Sequence, residues 1–84
     1  MVGPAAMRIA IEKAAAVGTG WVAVKNSNHY GIAGYHAMLP LEHDMIGICM
    51  TIANPVVAPT WSVSQMLGTN PIAVAVPAKS YPPF

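Results

Sequence analysis

Asn26-Ser27-Asn28-His29-Tyr30-Gly31 sets a histidine among amide and hydroxyl groups, with glycines at 31 and 34 that permit tight turns. An imidazole titrates near neutral pH, so His29 on such a polar loop can donate or accept a proton. The competing reading is a histidine that only braces its own loop through backbone hydrogen bonds. A second candidate is Gly68-Thr69-Asn70-Pro71, a sharp turn in which Pro71 pushes Asn70 towards extended backbone. Its amides, the Thr69 hydroxyl and the Asn70 carboxamide can hold a phosphate or a ribose, although most such segments are only turns.

Other chemistry-bearing residues carry less. His36 and His43 follow His29 at seven-residue steps, too far apart on a helix to chelate one ion. They are expected to be partly exposed, with no metal and no assigned role. Gly18-Thr19-Gly20 lies between a helix and a strand, the reverse of a dinucleotide fingerprint, and is expected to be a plain helix-to-strand turn. Cys49 is the single cysteine, inside an apolar run; it suits a small core position and a reducing cytoplasm.

The elements that must position these residues alternate in type. Pro4 fits the first turn of a helix whose Met7, Ala10, Ile11, Ala14 and Val17 recur at helical spacing, with Arg8, Glu12 and Lys13 left to solvent and Gly18 as its stop. Trp21-Val22-Ala23-Val24 is predicted as a short strand buried on both sides, delivering the chain into the His29 loop. Gly34 to about His43 is a second helix, which Pro40 must kink or start late. Met45 to Ile52 and Ile72 to Val76 are two further strands, separated by a long proline-containing connection over Asn54–Gln65. Pro82-Pro83 has the character of a linker. The expected architecture is α/β: a small βαβ-type layered unit with the opening helix as a third layer.

Composition bounds what such a unit can do alone. The 84 residues are 55% hydrophobic and only 8% charged, against roughly 25% charged in ordinary soluble domains. A sphere this small cannot bury so much apolar material, so the chain either spans a membrane or rests against more protein. A span needs roughly 20 consecutive apolar residues. The most apolar stretch, Met45–Ala53, runs into Asn54, Pro55 and Pro59. The buried-against-protein alternative is therefore expected. Four lysines and arginines and a net charge of +1 make neither a nucleic-acid footprint nor a polybasic membrane patch. Met-Val-Gly-Pro lacks the charge and apolar core of a signal peptide.

In order and spacing, Lys25-Asn26-Ser27-Asn28-His29-Tyr30-Gly31, Ala33-Gly34-Tyr35, Met45-Ile46-Gly47-Ile48 and Leu67-Gly68-Thr69-Asn70-Pro71-Ile72-Ala73-Val74-Ala75-Val76-Pro77 resemble the malate/L-lactate dehydrogenase-like family. That family also includes ureidoglycolate, sulfolactate, diketogulonate and cyclic-imine enzymes. Its members are several times longer, and the matching stretch falls in their central, non-Rossmann cofactor-binding domain. The resemblance implies that residues 1–84 are a fragment of that domain, from a cytoplasmic homo-oligomer. It implies NAD or NADP as cofactor and a small 2-hydroxy/2-oxo acid or imine as substrate. His29 takes the place of a catalytic acid/base, and Asn28, Asn54, Pro55, Thr69 and Asn70 match positions lining the cofactor cleft.

Two departures stand out: Asn54 replaces a usual serine, and Trp61-Ser62 a usual glycine pair. A second histidine and the substrate-binding arginines usually precede this stretch. The isolated chain is accordingly expected to be inactive. A non-catalytic interaction module, or a truncated product without independent function, is the alternative.

Overall fold

Helix α1 (Val2–Val17) opens the chain, with Pro4 in its first turn, where a missing N–H leaves no bond unmade. Gly18 ends it in the left-handed conformation at φ 93°, donating its N–H to the Ala14 carbonyl at 2.7 Å. Half-buried Met7, Ala10, Ile11 and Ala14 form the inner stripe, while Arg8, Glu12, Lys13 and also Val17 lie in solvent. The computed structural model, which describes residues 1–84, then turns the chain back along this helix. Gly20 lies so close to the Ala10 and Ala14 backbone that a Cβ there would strike the Ala10 carbonyl. Gly18-Thr19-Gly20 is the turn expected at the helix end, but not a helix-to-strand turn, since no strand follows it.

Trp21–Val24 does not become a strand. Trp21, Val22 and Val24 are exposed and no neighbouring strand receives their backbone groups. Alternating β-branched residues encode an extended preference only, and a ladder needs a partner. The expected βαβ unit is therefore not formed.

Helix α2 (Ala33–Met38) continues directly into a 3-10 helix, Leu39–His43. Pro40 causes the change: it has no N–H to give and its ring would press on the carbonyl one α-turn back. Leu39 N–H instead reaches the His36 carbonyl, and Asp44 at φ 55° closes the element.

Strands β1 (Gly47–Met50) and β2 (Ile72–Ala75) pair antiparallel, in the register Gly47↔Ala75, Ile48↔Val74, Cys49↔Ala73 and Met50↔Ile72. Both lie inside the spans expected from the sequence, but their direction is not that of a βαβ crossover. The small residues Gly47, Cys49, Ala73 and Ala75 make the face on which α2 rests, with Ala37 1% and Ala75 6% exposed. Ile48, Met50, Ile72 and Val74 make the opposite face, between 41% and 69% exposed. Residues 51–71 form a long excursion, pinned by an isolated bridge between Val57 and Leu67. The expected linker at Pro82-Pro83 instead folds back, and Phe84 and Val76 exchange backbone hydrogen bonds of 2.7 and 3.1 Å.

Only five of the 84 residues are buried. The radius of gyration is 15.2 Å, against about 12 Å for a compact chain of this length. The accessible surface is 6748 Å², against roughly 4,800 Å² expected at this mass. Large apolar side chains contribute to that surface, with Ile52, Trp61, Val63 and Phe84 all at least 87% exposed. No helix is long and apolar enough to cross a membrane.

Candidate functional site

The antiparallel register brings two of the sequence-flagged loops to one end of the sheet. Because Met50 pairs with Ile72, the chain leaving β1 towards Asn54-Pro55 runs beside the chain entering β2 from Thr69-Asn70. Thr51 N–H bonds to the Pro71 carbonyl at 3.2 Å. Two residues on, Ala53 N–H bonds to Asn70 Oδ1 at 3.0 Å. Asn70 is not extended, as Pro71 was expected to make it, but left-handed at φ 41°, a conformation asparagine tolerates better than most residues. Gly68 leaves the space this contact needs, since a Cβ there would strike the Ala53 carbonyl and come within 2.6 Å of Asn70 Oδ1.

Asn70 is thus first a clasp between the two loops. Beside it an open depression of about 380 Å³ is lined by Met50, Thr51, Ile52, Asn70 and Ile72. Asn54, Pro55 and Thr69 stand exposed at the same end. Replacing Asn70 by Ala removes the clasp and strains the backbone, at a combined cost of about 1–2 kcal/mol. The Ala53 amide is expected to exchange faster with solvent in N70A, and Asn70→Gly, which tolerates the φ, isolates the lost hydrogen bond. Unchanged exchange in both would show that Asn70 does not hold the loops together.

No Lys, Arg, Asp or Glu occurs between Thr51 and Ala73. This neutral set of amide, hydroxyl and backbone groups can hydrogen-bond an uncharged polar ligand, and supplies no cation for a phosphate.

His29 and Asn28 belong to a separate exposed loop. Gly31, at φ 89°, donates its N–H to His29 Nδ1 at 3.1 Å. One ring nitrogen therefore braces the loop, as the competing reading supposed, while Nε2 makes no hydrogen bond within the chain. The loop is tied to the sheet through Tyr30, whose hydroxyl accepts the Cys49 thiol proton at 3.5 Å. Burial pushes the Tyr30 phenol up to about 12.

His36 corrects the sequence-based expectation. It is not partly exposed but 3% exposed, the one polar side chain in the core. Its ring stacks on Tyr30 at 4.7 Å and 4°, and meets Tyr35 edge-on at 5.2 Å. Nε2 lies 2.9 Å from the Tyr30 carbonyl. The tyrosine beside His29 was visible in the sequence, but a contact across six residues and a turn has no periodic signature. His43 is exposed, and no three His, Cys, Asp or Glu side chains converge on a metal-sized space.

A family model described as malate/L-lactate dehydrogenase matches residues 1–84. The chain is 60% identical over 82 residues to malate dehydrogenase of Pyrococcus abyssi, covering 98% of this chain and 23% of that protein. It is 49% identical over 81 residues to L-sulfolactate dehydrogenase of Methanocaldococcus jannaschii, covering 96% of this chain and 24% of the relative. The solved structure of malate dehydrogenase from Pyrococcus horikoshii OT3 superposes with a TM-score of 0.89 at 53% identity, over 99% of this chain and 24% of that one. The chain spans about a quarter of the length of these relatives.

Proposed function

Since this chain belongs to the malate/L-lactate dehydrogenase family, we propose that residues 1–84 form part of the non-Rossmann nicotinamide-binding domain of an oxidoreductase. The reaction is hydride transfer between NAD or NADP and a small 2-hydroxy/2-oxo acid. The observation that carries this reading is the state of His29: exposed, braced at Nδ1 by Gly31 N–H, and free at Nε2.

Because a backbone N–H can only donate, the neutral ring carries its proton on Nε2. From there it hydrogen-bonds the substrate oxygen and fixes its direction. Delivering a proton as charge builds on that oxygen requires the doubly protonated ring. That form forfeits the Gly31 contact, an exposed bond worth about 0.5–1.5 kcal/mol. The nicotinamide, when bound, supplies or takes the hydride. Asn54 and Thr69 would offer side-chain hydrogen bonds to its polar groups, Pro55 a flat apolar edge, and Asn28 an amide beside His29.

In this reading the enzyme works in the reducing cytoplasm, consistent with the free Cys49 thiol. It assembles as a homo-oligomer that covers part of the exposed apolar surface.

The test is a hybrid in which this chain replaces the corresponding stretch of Pyrococcus horikoshii malate dehydrogenase, assayed with malate and NAD or NADP. Turnover and saturable NADH or NADPH fluorescence are expected. A folded hybrid that binds neither nucleotide would overturn the proposal and leave the exposed apolar surface as that of a non-catalytic docking module. The 84-residue chain by itself is expected to show no turnover.

A further inference from the structure

His36 and His29 touch opposite ends of one peptide group. The Tyr30 carbonyl and the Gly31 N–H belong to the same planar unit, which turns as a single body. His36 Nε2 lies 2.9 Å from its oxygen, and its nitrogen donates to His29 Nδ1 at 3.1 Å. A carbonyl can only accept, so the Nε2 of His36 carries a proton. The series His36 Nε2–H, Tyr30 C=O, Gly31 N–H, His29 Nδ1 is a continuous relay of donors and acceptors, each bond polarising the next.

We infer that His36 is a positioning residue for His29: by clamping the Tyr30–Gly31 peptide it sets the plane, and thereby the tautomer, of the exposed imidazole. This rests on the proton-handling role proposed for His29.

Three further observations support the assignment. The His36 ring is immobilised on several sides, by Tyr30 face-on, by Tyr35 edge-on, and by Gly3 of α1, where a Cβ would lie 2.5 Å from Cε1. A clamp needs that rigidity. Next, Nδ1 of His36 is buried without a partner. An acceptor left dry is unfavourable, and an apolar ring of similar shape would avoid the cost. The feature an apolar ring lacks is the Nε2–H, and its one target is the Tyr30 carbonyl. Finally, Tyr30 is held at three points, by its carbonyl and ring against His36 and by its hydroxyl against Cys49. Only the His36 bond to the carbonyl acts directly on the peptide that reaches His29.

In the hybrid enzyme, His36→Phe keeps the stacked ring and removes the donor. The expected result is a kcat lower by roughly ten- to a hundredfold, the scale of a misplaced catalytic group, with NADH affinity unchanged. His36→Gln, whose terminal amide can also donate, is expected to recover part of the loss. The decisive comparison is a double-mutant cycle. In a His29→Ala background, His36→Phe should lower kcat no further, because its effect runs through His29.

An undiminished kcat in His36→Phe, or an equal loss in the His29→Ala background, overturns the inference. So does a His36→Phe protein that fails to fold while His36→Gln folds with no more activity than His29→Ala. If His29→Ala itself leaves turnover intact, it is the functional reading that fails, and the two outcomes are told apart by that single mutant.

Discussion

His29→Ala in the hybrid enzyme should lower kcat by about 10²–10⁴-fold, the range that a positioned general acid contributes. Nucleotide affinity should barely change. The split follows from where the residues sit. Asn54, Pro55, Thr69 and Asn70 lie at one end of the β1–β2 sheet, while His29 sits on a different loop tied to it through Tyr30. Truncating the imidazole removes no backbone hydrogen bond of the sheet, and the one it does remove, from Gly31, is exposed. Activity and stability are therefore separable at this residue. Steady-state kinetics with malate, together with NADH titration, measure both quantities. Turnover equal to that of the unsubstituted hybrid would exclude His29 from proton handling.

Gly47→Val is the substitution expected to damage the fold most. By local preference it should help, since valine favours strands and glycine weakens them. Packing decides otherwise. Gly47 is buried where α2 crosses β1, and a Cβ there would strike the Ala37 carbonyl and lie 3.1 Å from Pro40 Cδ. The obstacle is backbone and a proline ring, neither of which can swing aside as a long side chain would. Overpacking of this kind costs about 1–3 kcal/mol or more. The loss falls on a unit with only five buried residues, three of them Ala37, Pro40 and Gly47 themselves. Thermal unfolding of the hybrid followed by circular dichroism should show a midpoint several degrees lower. A midpoint equal to that of the parent would mean that α2 does not rest on β1 through this glycine.

The two substitutions probe different layers of the same construction. Gly47 lets α2 approach the sheet, which brings His36 beneath Tyr30. His36 in turn holds the peptide that directs His29. A lesion at Gly47 should therefore reach activity as well, but only by way of stability.

Much of this was legible from the residues alone. Spacing located α1 and its end at Gly18, because helix periodicity and left-handed glycine stops are local properties. Runs of apolar residues located β1 and β2, and the polar punctuation between them located the loops of His29, Asn54 and Asn70. The order of those motifs was enough to indicate the family. What only the tertiary structure decided was how the pieces meet. Trp21–Val24 has the composition of a strand, yet no neighbour pairs with it. The sheet is antiparallel because the excursion over residues 51–71 returns β2 beside β1, a choice that no residue in either strand records. Asn70 turns its carboxamide towards Ala53, and His36 leaves solvent to clamp the Tyr30 peptide. Periodicity and turn chemistry act over a few residues, and so can be read along the chain. Pairing, burial and the sharing of one peptide group by two histidines depend on which distant segments become neighbours, and that is fixed only when the chain has folded.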